Sequence, residues 1–162
     1  MGNTKILLTG STGAIGSEIL KNVDLKKYSF ICTLRDKHKI KIKHPNIHYI
    51  KLDMEDVLSK FLDLPKVDYI IHLSARSSKE KPNYKKSVSI NVKGTEKLLK
   101  VAKEKKIKKF IYLGTLSKNK GIYSTTKVIS EKRIKDSGLN YTIIKPSIVY
   151  GESSGGIFKQ ME

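Results

Sequence analysis

The chain has 162 residues, 38% of them hydrophobic and 30% charged, which suits one domain with a buried core and excludes a disordered chain. No apolar run approaches the ~18–20 residues that span a bilayer, and Met1-Gly2-Asn3-Thr4-Lys5 enters a strand-like run with no signal-peptide pattern. The formal charge of +18 is almost all lysine, with arginine only at Arg35, Arg76 and Arg133; such a surface attracts anionic ligands but lacks the arginine and aromatic pattern of a nucleic-acid reader.

Lys5 to Thr9 reads as a buried parallel strand, followed by a glycine-rich turn and a helix from about Gly13 to Asn22. Ser29 to Leu34 is the second strand. The lone Cys32 within it reads as a core thiol and fits a reducing cytoplasm. A basic loop, Lys37 to His44, leads to a third strand at Ile47 to Leu52. Asp56 to Leu62 reads as a short helix with a turn at Pro65, and Val67 to Leu73 as the fourth strand. Ser87 to Lys105 carries Val88, Val92, Leu98, Leu99, Val101 and Ala102 near helical spacing, which predicts a long helix. Phe110 to Leu113 is a fifth strand, Ser124 to Asp136 a second long helix stopped by Gly138, and Tyr141 to Lys145 a sixth strand ended by Pro146. This alternation predicts an α/β fold of parallel βαβ units in a doubly wound sheet. Ligands of such sheets lie beyond the carboxyl ends of the strands, where the strand order reverses. No internal repeat and no metal-ligating cluster is read.

Between the first strand and first helix runs Thr9-Gly10-Ser11-Thr12-Gly13-Ala14-Ile15-Gly16, with glycines spaced G-x-x-G-x-x-G. Gly10 permits a tight turn, Gly13 lets backbone approach a pyrophosphate, and Gly16 is expected to let the helix pack closely on the sheet. The helix N-terminus offers N–H groups and a partial positive charge to phosphates. Taken alone, the same glycines could form a strand-to-helix turn that binds nothing.

This opening resembles the short-chain dehydrogenase/reductase superfamily, in particular its extended and atypical branches, which include the NAD-dependent epimerase/dehydratases. Further matches follow in order. Asp53-Met54 resembles the pair that contacts adenine, and His72-Leu73-Ser74-Ala75 resembles the H-L-A-A turn beside the cofactor. Asn91-Val92-Lys93-Gly94-Thr95 matches N-V-x-G-T. Lys145-Pro146-Ser147-Ile148-Val149-Tyr150-Gly151 resembles R-P-x-x-V-Y-G, with lysine in place of arginine. The resemblance implies a Rossmann-type NAD(P)-binding domain over 1–151. It assigns cofactor contacts to Gly10, Thr12, Gly13, Ala14, Ile15, Gly16, Asp53, Met54, Leu73, Ser74, Ala75, Pro146 and Ser147. Residues 152–162 are expected to start a C-terminal substrate region that the chain lacks. His72 reads as a packed histidine at a strand end. Asn91 reads either as a polar helix residue or, by the resemblance, as a support of the hydrogen-bond network at the cofactor.

Tyr123-Ser124-Thr125-Thr126-Lys127 gives Y-x-x-x-K, which puts both side chains on one helix face. A free phenol titrates at ~10, so an adjacent ammonium, with the positive nicotinamide of an oxidised cofactor, is expected to favour the Tyr123 phenolate and lower that value. The resemblance makes Tyr123 the proton-transferring residue, Lys127 a holder of the ribose hydroxyls, and Thr115 the hydroxyl that bonds the reacting oxygen. Leu113-Gly114-Thr115 departs from the Ser-rich strand end usual there, and the loop from Leu116 to Ile122 is short. After the second strand, Leu34-Arg35-Asp36-Lys37 offers both an acid for a ribose and an arginine for a 2′-phosphate. Arg35 comes first, so the reading is NAD(P) with a slight preference for NADP.

Two functions from different classes follow. One is an oxidoreductase or sugar-nucleotide epimerase/dehydratase working by hydride transfer, with a small-molecule substrate of the nucleotide-sugar type. The other is a non-catalytic NAD(P)-binding module, a redox sensor or assembly factor. The two long helices resemble the pair through which many family members form a four-helix homodimer interface. Lys97, Lys100, Lys103, Lys105 and Lys106 would add repulsion there if they faced the partner.

Overall fold

The structure, a computed structural model, describes residues 3–77, 80–116, 121–147 and 149. Residues 152–162, together with Ile148, Tyr150 and Gly151 of the last motif and 117–120 of the loop before Tyr123, lie outside the described residues.

Among the described residues, short β-branched and aromatic runs form six strands: β1 (Thr4–Thr9), β2 (Tyr28–Leu34), β3 (Ile47–Lys51), β4 (Tyr69–His72), β5 (Lys109–Leu113) and β6 (Tyr141–Ile144). All pair in parallel in the order β3-β2-β1-β4-β5-β6. The helices are α1 (Ala14–Asn22), α2 (Leu58–Leu62), α3 (Tyr84–Ser87), α4 (Gly94–Glu104) and α5 (Ile122–Lys135). The doubly wound sheet read from the sequence is therefore present, and its order reverses between β1 and β4, where a crevice must open.

Side chains alternate across the sheet, so each central strand feeds two cores. Ile6 and Leu8 of β1 pack with Phe30, Cys32 and Leu20 of α1 on one face. Leu7 packs with Ile31, Ile70 and Phe110, and with Phe61, Leu98, Leu99 and Ile134 from the helices, on the other. Burial on both faces is why β1 reads as a continuous apolar run. Each fully buried Leu, Ile or Phe contributes on the order of 1.5–3 kcal/mol by leaving water. Cys32 is buried, and desolvation pushes its thiol up to about 12.

The long helix expected from Ser87 differs in a way that matters for the site. It begins at Tyr84, where the Asn83 side chain accepts the Lys86 N–H at 2.9 Å, and it widens into a π-helical segment at Val88–Lys93. The Asn91 carbonyl accepts two side-chain hydroxyls, Thr95 Oγ1 at 2.5 Å and Ser130 Oγ at 2.8 Å. Side chains inserted into the ladder in this way are one cause of such bulges. The second long helix starts at Ile122, and Gly138 follows it with φ +73°.

Candidate functional site

The turn after β1 is built so that only glycine fits at two positions. Gly10 has φ +73°, and a Cβ there would lie 2.9 Å from the Ser74 backbone nitrogen. A Cβ on Gly16 would lie 2.3 Å from the Gly10 carbonyl oxygen and 2.8 Å from Ser11 Cα. Gly16 thus packs against the turn itself, which corrects the expectation that it serves the helix–sheet contact. Gly13 is the N-cap of α1, no side chain caps the helix, and the first intrahelical donor is Ser17 N–H to Gly13 O at 2.9 Å. The N–H groups of Ala14, Ile15 and Gly16 precede that bond and have no intrahelical acceptor. A close-approach backbone surface at a helix N-terminus suits a pyrophosphate.

In front of this turn lies a cleft lined by Gly10, Thr12, Gly13, Arg35, Asp53, Met54, Leu73, Ser74 and Ala75, all expected as cofactor contacts. It is also lined by Thr33, Leu34, Leu52, Arg76, Glu80 and Ile90, which sequence reading did not single out. Thr33, Leu34, Leu52 and Arg76 flank the motif residues after the strands and Ile90 precedes Asn91, whereas Glu80 carried no such signal. Asp36 is not among the lining residues, and its Oδ1 accepts the His38 N–H at 2.9 Å to cap a 3-10 turn over Lys37–Lys39. A second cleft, lined in part by Ser87, Ile122, Tyr123 and Ser124, shares Arg76 and Glu80 with the first. Those two residues form an ion pair at the junction.

Beneath the cleft floor, hydroxyls and one imidazole form a chain whose direction can be worked out. Thr95 Oγ1 donates to the Asn91 carbonyl, so it accepts from His72 Nε2–H at 3.0 Å. His72 Nδ1 then accepts from Thr9 Oγ1 at 2.6 Å, while Thr9 Oγ1 accepts from the Ser74 N–H at 3.2 Å. Burial and the nearby Lys127 push the His72 pKa down to about 3, so the ring is neutral. His72 is a packed, doubly bonded core residue. Asn91 is equally buried: its amide accepts the Arg76 N–H at 2.7 Å and donates to the Arg76 carbonyl at 3.2 Å and Thr126 Oγ1 at 2.9 Å. It fixes the loop after β4 from below, and its polar atoms are engaged there.

On α5, Tyr123 and Lys127 share one face as the spacing requires. Lys127 is 1% exposed, with its Nζ 4.0 Å from the centre of the Tyr112 ring. Burial, partly offset by Glu131, pushes its pKa down to about 7. Burial also raises the Tyr123 phenol. Lys127 alone does not lower Tyr123 here, because the amine is itself desolvated and lies against the Tyr112 ring. One turn further on, Glu131 Oε2 accepts from Lys145 Nζ at 2.6 Å. Among the described residues Glu131 Oε1 is buried with no hydrogen-bond partner, and a Cβ on Gly114 would lie 2.6 Å from it. A glycine in place of serine at this strand end makes room for that carboxylate. Thr115 follows β5 and is half-buried. Pro146 and Ser147 follow β6. Neither cleft counts Ala14, Ile15, Gly16, Asn91, Thr115, Lys127, Pro146 or Ser147 among its lining residues.

Similarities to known proteins agree with this architecture. The Photosystem II assembly factor Ycf39 of Cyanophora paradoxa is 31% identical over 147 residues, covering 86% of this chain and 44% of that protein. The UDP-glucose 4-epimerase of Vibrio cholerae is 27% identical over 172 residues, covering 90% and 52%. Among solved structures, the Bordetella bronchiseptica enzyme WbmH in complex with NAD+ superposes with a TM-score of 0.85 at 19% identity, over 96% of this chain and 59% of that one. The chain spans about half the length of the curated relatives it matches. The model of the NAD dependent epimerase/dehydratase family matches residues 6–161, and the chain belongs to that family.

Proposed function

We propose that this chain is the dinucleotide-binding part of an NAD(P)-dependent oxidoreductase or sugar-nucleotide epimerase/dehydratase. The observation that carries the reading is the glycine turn at the switch point: backbone fills the positions where Cβ atoms of residues 10 and 16 would sit, beside an uncapped helix end. Gly10, Thr12, Gly13 and the N–H groups of Ala14, Ile15 and Gly16 hold the pyrophosphate. Asp53 and Met54 receive the adenine, and Leu73, Ser74, Ala75, Pro146 and Ser147 flank the nicotinamide half, with Asn91 holding the loop after β4. A bound nicotinamide would supply the hydride acceptor or donor. Thr115 hydrogen-bonds the reacting oxygen, Tyr123 transfers its proton, and Lys127 holds the ribose hydroxyls.

Arg35 lines the cleft whereas Asp36 caps its own turn, which favours NADP over NAD. A solved UDP-glucose 4-epimerase of Thermotoga maritima with UDP-glucose superposes with a TM-score of 0.80 at 21% identity, and a nucleotide-sugar is the proposed substrate class. A homodimer through α4 and α5 meets less repulsion than the five lysines imply, although Lys100, Lys103 and Lys106 remain exposed. Lys97 and Lys105 turn inward to backbone carbonyls, while Val128 of α5 is 57% exposed. A second reading, a binding module without turnover, is favoured by the 31% identity to a protein named as an assembly factor. Calorimetric titration with NAD+ and NADPH, followed by a turnover screen with nucleotide-sugars, tests both. Failure to bind either dinucleotide would sink the proposal, and binding without turnover in the full-length protein would leave the module.

A further inference from the structure

Lys97 sits on α4, away from the glycine turn and from Tyr123, yet it does not face solvent freely. Its Nζ donates to the Met54 carbonyl at 2.6 Å and to the Asp56 carbonyl at 2.6 Å, and lies 4.9 Å from the centre of the Phe61 ring. Both carbonyls belong to the turn between β3 and α2, the turn that lines the cofactor cleft with Leu52, Asp53 and Met54. Within the turn, short-range bonds set the shape: Asp53 N–H to Asp56 Oδ2 at 2.8 Å, Asp56 N–H to Asp53 O at 3.0 Å, and Glu55 N–H to Asp53 Oδ1 at 3.0 Å. Leu52 N–H bonds the Leu34 carbonyl of β2 at 3.0 Å, and two exposed lysines reach the turn's carboxylates, Lys60 of α2 to Asp56 at 2.8 Å and Lys86 of α3 to Glu55 at 3.9 Å. Lys97 instead ties the turn's backbone carbonyls to α4, together with Gly94, where a Cβ would lie 2.8 Å from Met54 Cβ. Gly94 lets the Met54 side chain sink against α4, and Lys97 clamps the carbonyls on either side of Glu55.

We infer that Lys97 is a positioning residue for adenine recognition: it holds the Asp53–Met54 turn at the depth where Asp53 meets the base. The inference rests on the dinucleotide reading above. An ammonium with two charge-assisted bonds to carbonyls makes a stiff clamp, because each such bond is about twice as strong as a neutral one. Asp53 uses only Oδ1 within the turn, so Oδ2 is outside these bonds and can accept from the exocyclic amine of adenine. Hypoxanthine, which carries an oxygen there, offers no such donor.

The test compares NAD+ with its hypoxanthine analogue by calorimetry on wild type, Lys97→Met and Lys97→Arg. The wild type binds NAD+ more tightly than the analogue. In Lys97→Met, NAD+ affinity falls about tenfold while the analogue changes little, so the preference collapses. Lys97→Arg keeps a donor in the same place and restores most of the preference. Equal losses for both cofactors, or none, with wild-type binding intact, overturn the positioning role alone. Wild type that binds neither cofactor overturns the dinucleotide reading and this inference with it. Should Lys97→Met fail to fold, the ratio measured in Lys97→Arg and Lys97→Gln decides the matter by the same criterion.

Discussion

Lys127 pays for its position, and replacing it by methionine measures how much. The side chain is 1% exposed, and its pKa falls from 10.5 to about 7. At ~1.36 kcal/mol per tenfold change, that difference corresponds to a ceiling of about 5 kcal/mol. The sign follows from proton binding. Between about 7 and 10.5 the unfolded chain holds the proton more tightly than the folded one. Wild-type stability therefore rises with pH across that window and is lowest below it. Lys127→Met removes the charge, keeps much of the apolar volume, and forfeits roughly 1–2 kcal/mol of attraction to the Tyr112 ring. The net expectation is a gain of roughly 2–4 kcal/mol near neutral pH, shrinking as pH climbs towards 10. The assay is urea unfolding of both proteins at intervals from about pH 6 to pH 9.5, with dinucleotide binding measured in parallel. The variant should be more stable and bind dinucleotide more weakly, as expected where a site is held against stability. Parallel pH curves, or a variant less stable than wild type at neutral pH, would refute the reasoning.

Gly16→Ala should abolish dinucleotide binding and destabilise the fold by several kcal/mol, because its Cβ would lie 2.3 Å from the Gly10 oxygen; calorimetry and thermal melting check both. Arg35→Ala should weaken NADPH more than NADH, with the difference eroded by salt, and equal losses would remove Arg35 from cofactor choice. Tyr123→Phe should leave cofactor affinity nearly unchanged and lower turnover by roughly 10²–10⁴-fold in the full-length protein; near-normal rates would end the catalytic reading. His72, with a pKa near 3, should show an Nε2–H tautomer and no titration between about pH 5 and 8 in nitrogen NMR spectra. A midpoint near the ordinary histidine value would contradict the buried chain.

The strands were legible because apolar runs such as Leu7-Leu8 and Phe30-Ile31-Cys32 need cover on both faces, and parallel sheets supply it. The glycine turn was legible because Gly10 and Gly16 answer to local backbone geometry. What escaped the sequence was long-range. The π-helical segment depends on Ser130 reaching the Asn91 carbonyl from another helix, a pairing no spacing rule contains. The Tyr123–Lys127 face was visible, but its electrostatics depend on the Tyr112 ring and the depth of burial. Gly114 read as a departure until the Glu131 carboxylate was found beside it. The lysines on and just after α4 read as surface charge, and Lys97 and Lys105 proved to be internal staples.

The hydroxyl chain through His72 also sets what the cleft rim can offer. Because the Ser74 N–H points down to Thr9 Oγ1, the trans peptide that carries it must turn the Leu73 carbonyl the opposite way. Inverting that polarity would require Thr9, His72 and Thr95 to exchange their donor and acceptor roles together. At this point of the rim the backbone can therefore accept a hydrogen bond but not give one. A ligand passing over Leu73 would meet the backbone through its donors, as ribose hydroxyls could, whereas a phosphate oxygen would need a side chain such as the Ser74 hydroxyl.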